Sequence, residues 1–320
     1  MSIAIVGGGY IVPEFWRAVD ATPDLTVRGI WARRADVRTQ LAAAHAVVAY
    51  DTFDQLLRDP AVDTIYLALS NHVHYEYAMH ALAAGKHVLI EKPVVLRADE
   101  ARTLFHEAAR RGLVLFEMIT NQYHPFCAEI ARRLPDIGPI RIATFNYSQY
   151  SSRYDAFRRG EIHPVFDSAK GGGALPDLNI YNLHLAIRWL GVPAHAAYIA
   201  NRTRGVDTSG TVLLQYPDMV CTCTAAKDCD GPSGFSLQGE HGCIFSDAAP
   251  NVLNTYSVQL RGHEAESFVL PRRASRMCDE LDAFSAHLAV GDRAWFAERA
   301  AHSIQVMEVL ETLLTKGSEM

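Results

Sequence analysis

Ser2-Ile3-Ala4-Ile5-Val6-Gly7-Gly8-Gly9-Tyr10-Ile11-Val12 is the stretch that decides the fold. A short apolar run ends in three glycines. Such a run reads as a strand buried on both faces, as parallel strands are. A helix is expected from about Tyr10 to Asp20, closed by Thr22-Pro23-Asp24. The same unit then repeats. Strands are expected at 25–31, 63–69, 87–90 and 113–118, and helices at 35–46, 51–57, 75–84 and 98–111. Gly85 and Gly112 stand where helices commonly end. This alternation predicts a doubly wound parallel sheet. Ligands in such sheets bind beyond the carboxyl ends of the strands.

After about Asn121 the rhythm changes. Ile140 to Ser148 alternates as a strand, and a polar loop is expected from Tyr150 to Lys170. Gly171-Gly172-Gly173 precedes a helix from about Pro176 to Leu190. Strand-like runs follow at 197–201, 211–216, 220–225, 234–239 and 243–246. Strands without intervening helices predict a largely antiparallel sheet. Residues 276–288 and 293–314 read as helices. The expected division is therefore 1–120 and 121–320, with the C-terminal helices free to pack back on the first domain. A length of 320 residues suits two domains at about 150 each.

Composition narrows the class. Apolar residues make up 49% and charged residues 21%, so the chain can bury a large core. Thirty Lys+Arg against 36 Asp+Glu leave a net charge of −6. Nucleic acid and anionic membranes demand clustered positive charge, so neither is expected as a partner. No apolar run reaches the ~18–20 residues of a membrane span. The apolar start lacks a basic n-region and reads as strand and turn, not as a signal peptide. Six cysteines make no disulfide framework, which points to a reduced, cytoplasmic protein. Cys221-x-Cys223 lies on one strand face without paired knuckles, so no metal is expected.

Three motifs carry chemistry. Gly7-x-Gly9-x-x-Val12 places a tight turn, then an open backbone, then a helix N-terminus. That arrangement suits a dinucleotide pyrophosphate, with Gly7, Gly9, Tyr10 and Ile11 against it. Val12 fills the usual third glycine slot and predicts looser helix–strand packing. After the second strand comes Trp31-Ala32-Arg33-Arg34, with no acid to take a ribose 2′-hydroxyl. Arg33 and Arg34 suit a 2′-phosphate, so NADP is favoured over NAD. Glu91-Lys92-Pro93 follows a strand at the ligand-facing edge, where Lys92 can hold a substrate hydroxyl and favour its deprotonation. On the later helix, Asp177, Tyr181, His184 and Arg188 are spaced 4, 3 and 4. At 100° per residue they fall within about 60°, apart from an apolar face of Ile180, Leu183, Ile187 and Leu190. That predicts a helix packed on one side and presenting acid, phenol and imidazole on another.

With these residues in view, the chain resembles the glucose–fructose oxidoreductase/inositol dehydrogenase family. The resemblance rests on Gly7-x-Gly9, on Ser70-Asn71-His72-Val73-His74, on Gly171 to Asp177, and above all on Ala84-Gly85-Lys86-His87-Val88-Leu89-Ile90-Glu91-Lys92-Pro93. It implies an N-terminal Rossmann domain and a C-terminal α+β domain with an open, mainly antiparallel sheet. It also implies NAD(P)-dependent oxidation or reduction of a sugar, cyclitol or related polyhydroxy compound. A homodimer or homotetramer through the C-terminal sheet is implied too. The family's lysine role carries over onto Lys92. Its cofactor-side segment carries over onto Asn71 and His74, with Ser70 in place of a proline, and onto Glu91. Tyr181 stands where inositol-type members have His, as in members resembling dihydrodiol dehydrogenase, and Asn179 replaces a glycine.

The expected mechanism is hydride transfer between a carbinol carbon and nicotinamide C4. Lys92 and Tyr181 handle the hydroxyl proton, with Lys92 depressing the phenol's pKa. Asp177 orients a second hydroxyl or Lys92, and His184 relays a proton or holds a hydroxyl. Two alternatives share the sequence: a dinucleotide-sensing regulator without turnover, and an enzyme that cleaves glycosides through transient oxidation. Asn121 and His124 are candidates for lining the substrate pocket or for a hinge. Arg153, Arg158 and Arg159 are candidates for an anionic substrate or a solvated loop.

Overall fold

The computed structural model describes residues 1–316. Its chain forms two units, one of residues 1–118 with 273–304, the other of 119–272 with the stretch from Gln305 on.

The first unit is built on six strands and five helices in alternation. They are β1 (Ser2–Val6), α1 (Val12–Ala21), β2 (Thr26–Trp31), α2 (Ala35–His45), β3 (Val48–Ala49), α3 (Phe53–Arg58), β4 (Thr64–Leu67), α4 (His74–Ala83), β5 (His87–Glu91), α5 (Ala98–Arg110) and β6 (Leu115–Met118). All pair in parallel, in the order β3-β2-β1-β4-β5-β6. The order reverses between β1 and β4, and a reversal of this kind opens a ligand crevice beyond the strand ends. Strands β4 and β6 are buried at every position, Thr64 and Glu117 included, as parallel strands covered on both faces are. Val12 is fully buried. It is thus closely covered where looser packing was expected.

The second unit opens with α6 (Pro125–Arg133), β7 (Ile140–Ser148), α7 (Tyr154–Arg159) and α8 (Ile180–Leu190). Seven strands follow: β8 (His195–Thr203), β9 (Val206–Gln215), β10 (Val220–Ala226), β11 (Gly234–Gly239), β12 (Gly242–Ser246), β13 (Thr255–Leu260) and β14 (Glu266–Val269). They make an open sheet in the order β14-β13-β12-β11-β7-β10-β9-β8. Only the β7–β10 pair is parallel. Alternation puts Phe145, Tyr147, Leu214, Cys221, Cys223 and Leu237 inward, while Ile142, Leu213 and Val220 face outward. The loop expected over 150–170 holds a short helix, α7, whose Phe157 stacks on Phe166 at 4.7 Å. Strands β13 and β14 went unread: they are short, β13 mixes polar with apolar residues, and β14 buries none of its four.

The first unit also takes in part of the C-terminal stretch. Helix α9 (Cys278–Ala289) and the first half of α10 (Arg293–Lys316) belong to the first unit. The reason is aromatic packing. Phe284 is fully buried, 5.2 Å from the ring of Phe116 and 5.9 Å from that of Phe296. Ser275 adds a hydrogen bond to Glu14 Oε1 at 2.7 Å. Truncating Phe284→Ala removes this anchor and is expected to cost about 3–5 kcal/mol. A urea titration followed by tryptophan emission checks it, and an unchanged midpoint would show that α9 contributes nothing to the first unit.

Candidate functional site

The nucleotide-facing elements lie in the first unit. Gly7 has φ +127°, and a β-carbon there would lie 2.2 Å from the carbonyl oxygen of Ala68. Its N–H donates to Trp31 O at 2.9 Å. Gly7 is thus fixed by the crossing of β1, β2 and β4. Gly9 differs: a β-carbon there would meet nothing within 4 Å. The backbone at Gly9 therefore faces open space at the start of the ten-residue helix α1. An open glycine turn leading into a helix N-terminus fits a pyrophosphate. Tyr10 beside it is 65% exposed.

Arg33 and Arg34 follow β2 and both are exposed. They are not equivalent. Arg34 is held by Asp36 through Nε and Nη2, and this pairing pulls the Asp36 carboxyl below its usual range. Arg33 lies within electrostatic reach of the Tyr77 phenol. Trp31, Phe53 and Tyr77 form a cluster at the end of β2, with centroids 4.9 to 5.8 Å apart.

At the end of β5, the Lys92–Pro93 peptide is cis, and Lys92 is half-buried. The residues around it tie the sheet and its loops together. Glu91 accepts the Tyr66 hydroxyl at 2.6 Å, and burial raises its carboxyl pKa against the pull of that bond and of Lys92. Glu117 on β6 accepts the Val94 N–H at 2.8 Å. His74 was expected on the cofactor side, but its ring is fully buried. Nδ1 lies 3.0 Å from Pro93 O and 3.2 Å from Val94 O, and Nε2 lies 3.2 Å from Leu69 O. Its imidazole thus braces the loop that carries Lys92 against the loop after β4. Ser70 caps a short turn, Asn71–Val73, ahead of α4, and Ser70 and Asn71 are both half-buried.

The second unit carries the helix on which acid, phenol and imidazole were expected. The segment before α8, Leu175–Asn179, is a π-turn in which Ile180 N–H donates to Leu175 O. An i→i+5 turn is wider than an α turn, so the 100° step fails between Asp177 and Tyr181. The expected polar stripe is corrected on a second count as well. Residues 181–187 are all buried, because β7, β10 and α6 of the same unit cover the helix. Tyr181 keeps 5% exposure, with its ring edge-on to Tyr147 at 5.8 Å. His184 is fully buried on the next turn. Asp177 is half-buried, with Oδ2 2.7 Å from the ammonium of Lys227.

Other polar groups fix this helix. Asp207 Oδ2 accepts the Leu175 N–H and the Tyr198 hydroxyl, each at 2.7 Å. Asp207 approaches Gly173 so closely that a β-carbon there would sit 1.9 Å from Oδ1. Burial raises the Asp207 carboxyl. Asn121 donates to the Tyr181 carbonyl at 2.9 Å, so it holds helix backbone. His124 caps α6 by accepting the Phe126 N–H, a structural role. Arg153 reaches His163 Nδ1 at 3.1 Å, while Arg158 and Arg159 are exposed. Lys227 and Asp207 escaped the sequence reading. The one available signal was a lysine directly after an apolar strand, Cys223-Thr224-Ala225-Ala226-Lys227.

Known proteins match this architecture. Residues 1–118 match the family described as an oxidoreductase family with an NAD-binding Rossmann fold, and 135–245 match the GFO/IDH/MocA C-terminal domain. The scyllo-inositol 2-dehydrogenase (NADP(+)) IolU of Bacillus subtilis is 30% identical over 285 residues, 88% of this chain and 86% of that protein. The trans-1,2-dihydrobenzene-1,2-diol dehydrogenase of Macaca fascicularis is 31% identical over 69% of this chain and 68% of its own. A 3-ketoreductase from Actinomadura kijaniata, solved with NADP, superposes with a TM-score of 0.82 at 25% identity, covering 98% of this chain and 97% of that one. That enzyme has also been solved with one lysine changed to Ala or Glu and with one tyrosine changed to Phe. The chain belongs to the GFO/IDH/MocA family of NAD-binding oxidoreductases.

The buried His74 makes a pH prediction. Burial lowers its folded pKa despite the carbonyl contacts. An unfolded His takes up a proton below about 6.5. Between the folded pKa and that value only the unfolded state is protonated, so stability falls as pH falls through this window. His74→Asn removes the effect. Its melting temperature relative to wild type is expected to rise as pH drops from 7 to 5. A constant difference across that range would show that His74 stays in one protonation state.

Proposed function

We propose that this chain moves a hydride between a nicotinamide cofactor and a carbinol or carbonyl carbon of a sugar, cyclitol or related polyhydroxy compound. The observation that carries the reading is the Gly7–Gly9 turn, open at Gly9, in a chain whose family binds NAD. When bound, the cofactor accepts or supplies the hydride. The chain does the rest. Lys92, at the carboxyl end of β5, holds the reacting hydroxyl and favours loss of its proton. Tyr181 exchanges that proton, with His184 one turn further on as its relay. Asp177 orients a second hydroxyl. Gly7, Gly9, Tyr10 and Ile11 serve the pyrophosphate, and Ser70, Asn71 and Glu91 stand at strand ends beside it.

NADP is the preferred form in this reading, through Arg33. Arg34 already has Asp36 as its partner, so Arg33 is the guanidinium offered to a 2′-phosphate. The outward face of the second sheet exposes Ile142, Ile199, Leu213, Val220 and Phe245. Such a patch supports a homodimer or homotetramer through that face. The six cysteines are all unpaired, which supports a cytoplasmic setting. Among the described residues, no helix is long and apolar enough to cross a membrane.

Purified enzyme is to be assayed with NADP+ and NAD+ against scyllo-inositol, levoglucosan, D-glucose and D-xylose, following nicotinamide absorbance. Turnover of at least one is expected, and Lys92→Ala and Tyr181→Phe should lower kcat by about 10²–10⁴-fold. Near-full turnover in Lys92→Ala overturns the assignment. Separately, Arg33→Ala should weaken NADPH binding about tenfold or more in a fluorescence titration and leave NADH binding unchanged. Equal loss for both cofactors would remove Arg33 from 2′-phosphate recognition.

A further inference from the structure

Lys227 is a buried cation that the reading above does not use. It follows β10 and is 2% exposed. Its backbone is fixed at both ends, since its N–H donates to Thr208 O at 2.8 Å and its carbonyl accepts the Ser151 N–H at 2.9 Å. Its ammonium meets three groups: Asp177 Oδ2 at 2.7 Å, Val165 O at 2.7 Å and the face of Phe166 at 4.5 Å. An ammonium has three N–H donors. Two are spent on oxygens, and the third side rests on a ring.

Burying such a cation costs several kcal/mol, so the pairing that offsets it has a reason to exist. A fold staple could use any carboxylate. This lysine pairs with the carboxylate on the π-turn that leads into the Tyr181 helix. The turn is fixed around that contact: Asp207 holds Leu175 N–H, and Asn179 donates to Cys223 O at 2.8 Å. The Asp177 side chain retains 23% exposure while Lys227 retains 3%. The pair is thus buried at the lysine and accessible at the acid. The other charged groups here are His163, Lys170 and Arg153, of which Lys170 pairs with Asp167 at 2.7 Å.

We propose that Lys227 is a positioning residue that holds the Asp177 side chain in place as an acceptor for a substrate hydroxyl and not as a carrier of the reacting proton. Proton exchange is left to Lys92 and Tyr181. This rests on the function proposed above.

The test is a mutant cycle with the fastest substrate of the panel and NADP+. Asp177→Asn is expected to raise KM about 10–100-fold and to change kcat less than about threefold. That is the pattern of a lost interaction made equally in ground and transition states. Lys227→Met should give the same split, and NADPH binding by fluorescence should be unchanged in both. Lys227→Met takes the ammonium away from Asp177 and is at risk of misfolding, so the decisive variant is the double Lys227→Met/Asp177→Asn. A residue that acts only through Asp177 makes the double equal to Asp177→Asn alone. A further loss of tenfold or more in the double overturns the proposal. So does an Asp177→Asn enzyme with wild-type KM, which would make the pair a fold staple. If Asp177→Asn loses kcat instead of KM, Asp177 carries the proton and the proposal fails. A wild type that turns over no compound of the panel overturns the functional reading and this inference with it.

Discussion

A β-carbon on Gly7 would lie 2.2 Å from the carbonyl of Ala68, and much of the first unit depends on that absence. β1 stands between β2 and β4, the point where strand order reverses. To leave the sheet there, the chain must turn tightly against the end of β4. Gly7 meets both demands, with φ +127° and no side chain. Once the turn is made, Gly9 emerges into open space and α1 begins. A nucleotide cradle is therefore not an addition to the fold. It is what remains when a buried parallel strand reverses into a helix at a topological switch point.

The same economy holds for the string Ala84 to Pro93, whose specificity marks the family. Two of its side chains, Lys86 and His87, hold backbone. Gly85 takes φ +76° after α4. Lys86 donates to the carbonyls of Asp59 and Val62, just before β4. His87 Nδ1 accepts the Val114 N–H at 3.0 Å, tying β5 to the approach to β6. Glu91 takes the Tyr66 hydroxyl. Lys92 follows, half-buried just after β5. Much of a long motif can thus serve as scaffold, and its length reflects how closely a parallel sheet constrains the loop that follows the strand.

That distinction sets what was legible in the sequence. Parallel strands buried on both faces, such as Ile65-Tyr66-Leu67, cannot be hidden in a sequence, and neither can glycine punctuation. The Rossmann unit was readable for that reason. The substrate half was readable only as a helix with an acid, a phenol and an imidazole in step. Its geometry was not, because a π-turn has no composition of its own. It persists through Asp207, which lies 32 residues beyond Leu175, and Lys227, 50 beyond Asp177. The return of Phe284 to Phe116 is tertiary in the same way. Period and spacing describe neighbours along the chain, and these contacts join residues far apart in it.

The polar groups of the second unit also divide by what water can reach. Asn179, Asn182 and His184 are sealed, and Lys227 is nearly so, while Asp177 keeps an accessible edge. Buried polar groups need partners, and here the partners are largely backbone carbonyls of β10: Cys223 for Asn179 and Thr224 for Asn182. Strand carbonyls are fixed acceptors, so the helix is fixed in register over the sheet. A hydride acceptor tolerates little misplacement of the carbon that faces it. In the proposed reading, rigid seating of the helix does for the substrate what the Gly7 turn does for the cofactor.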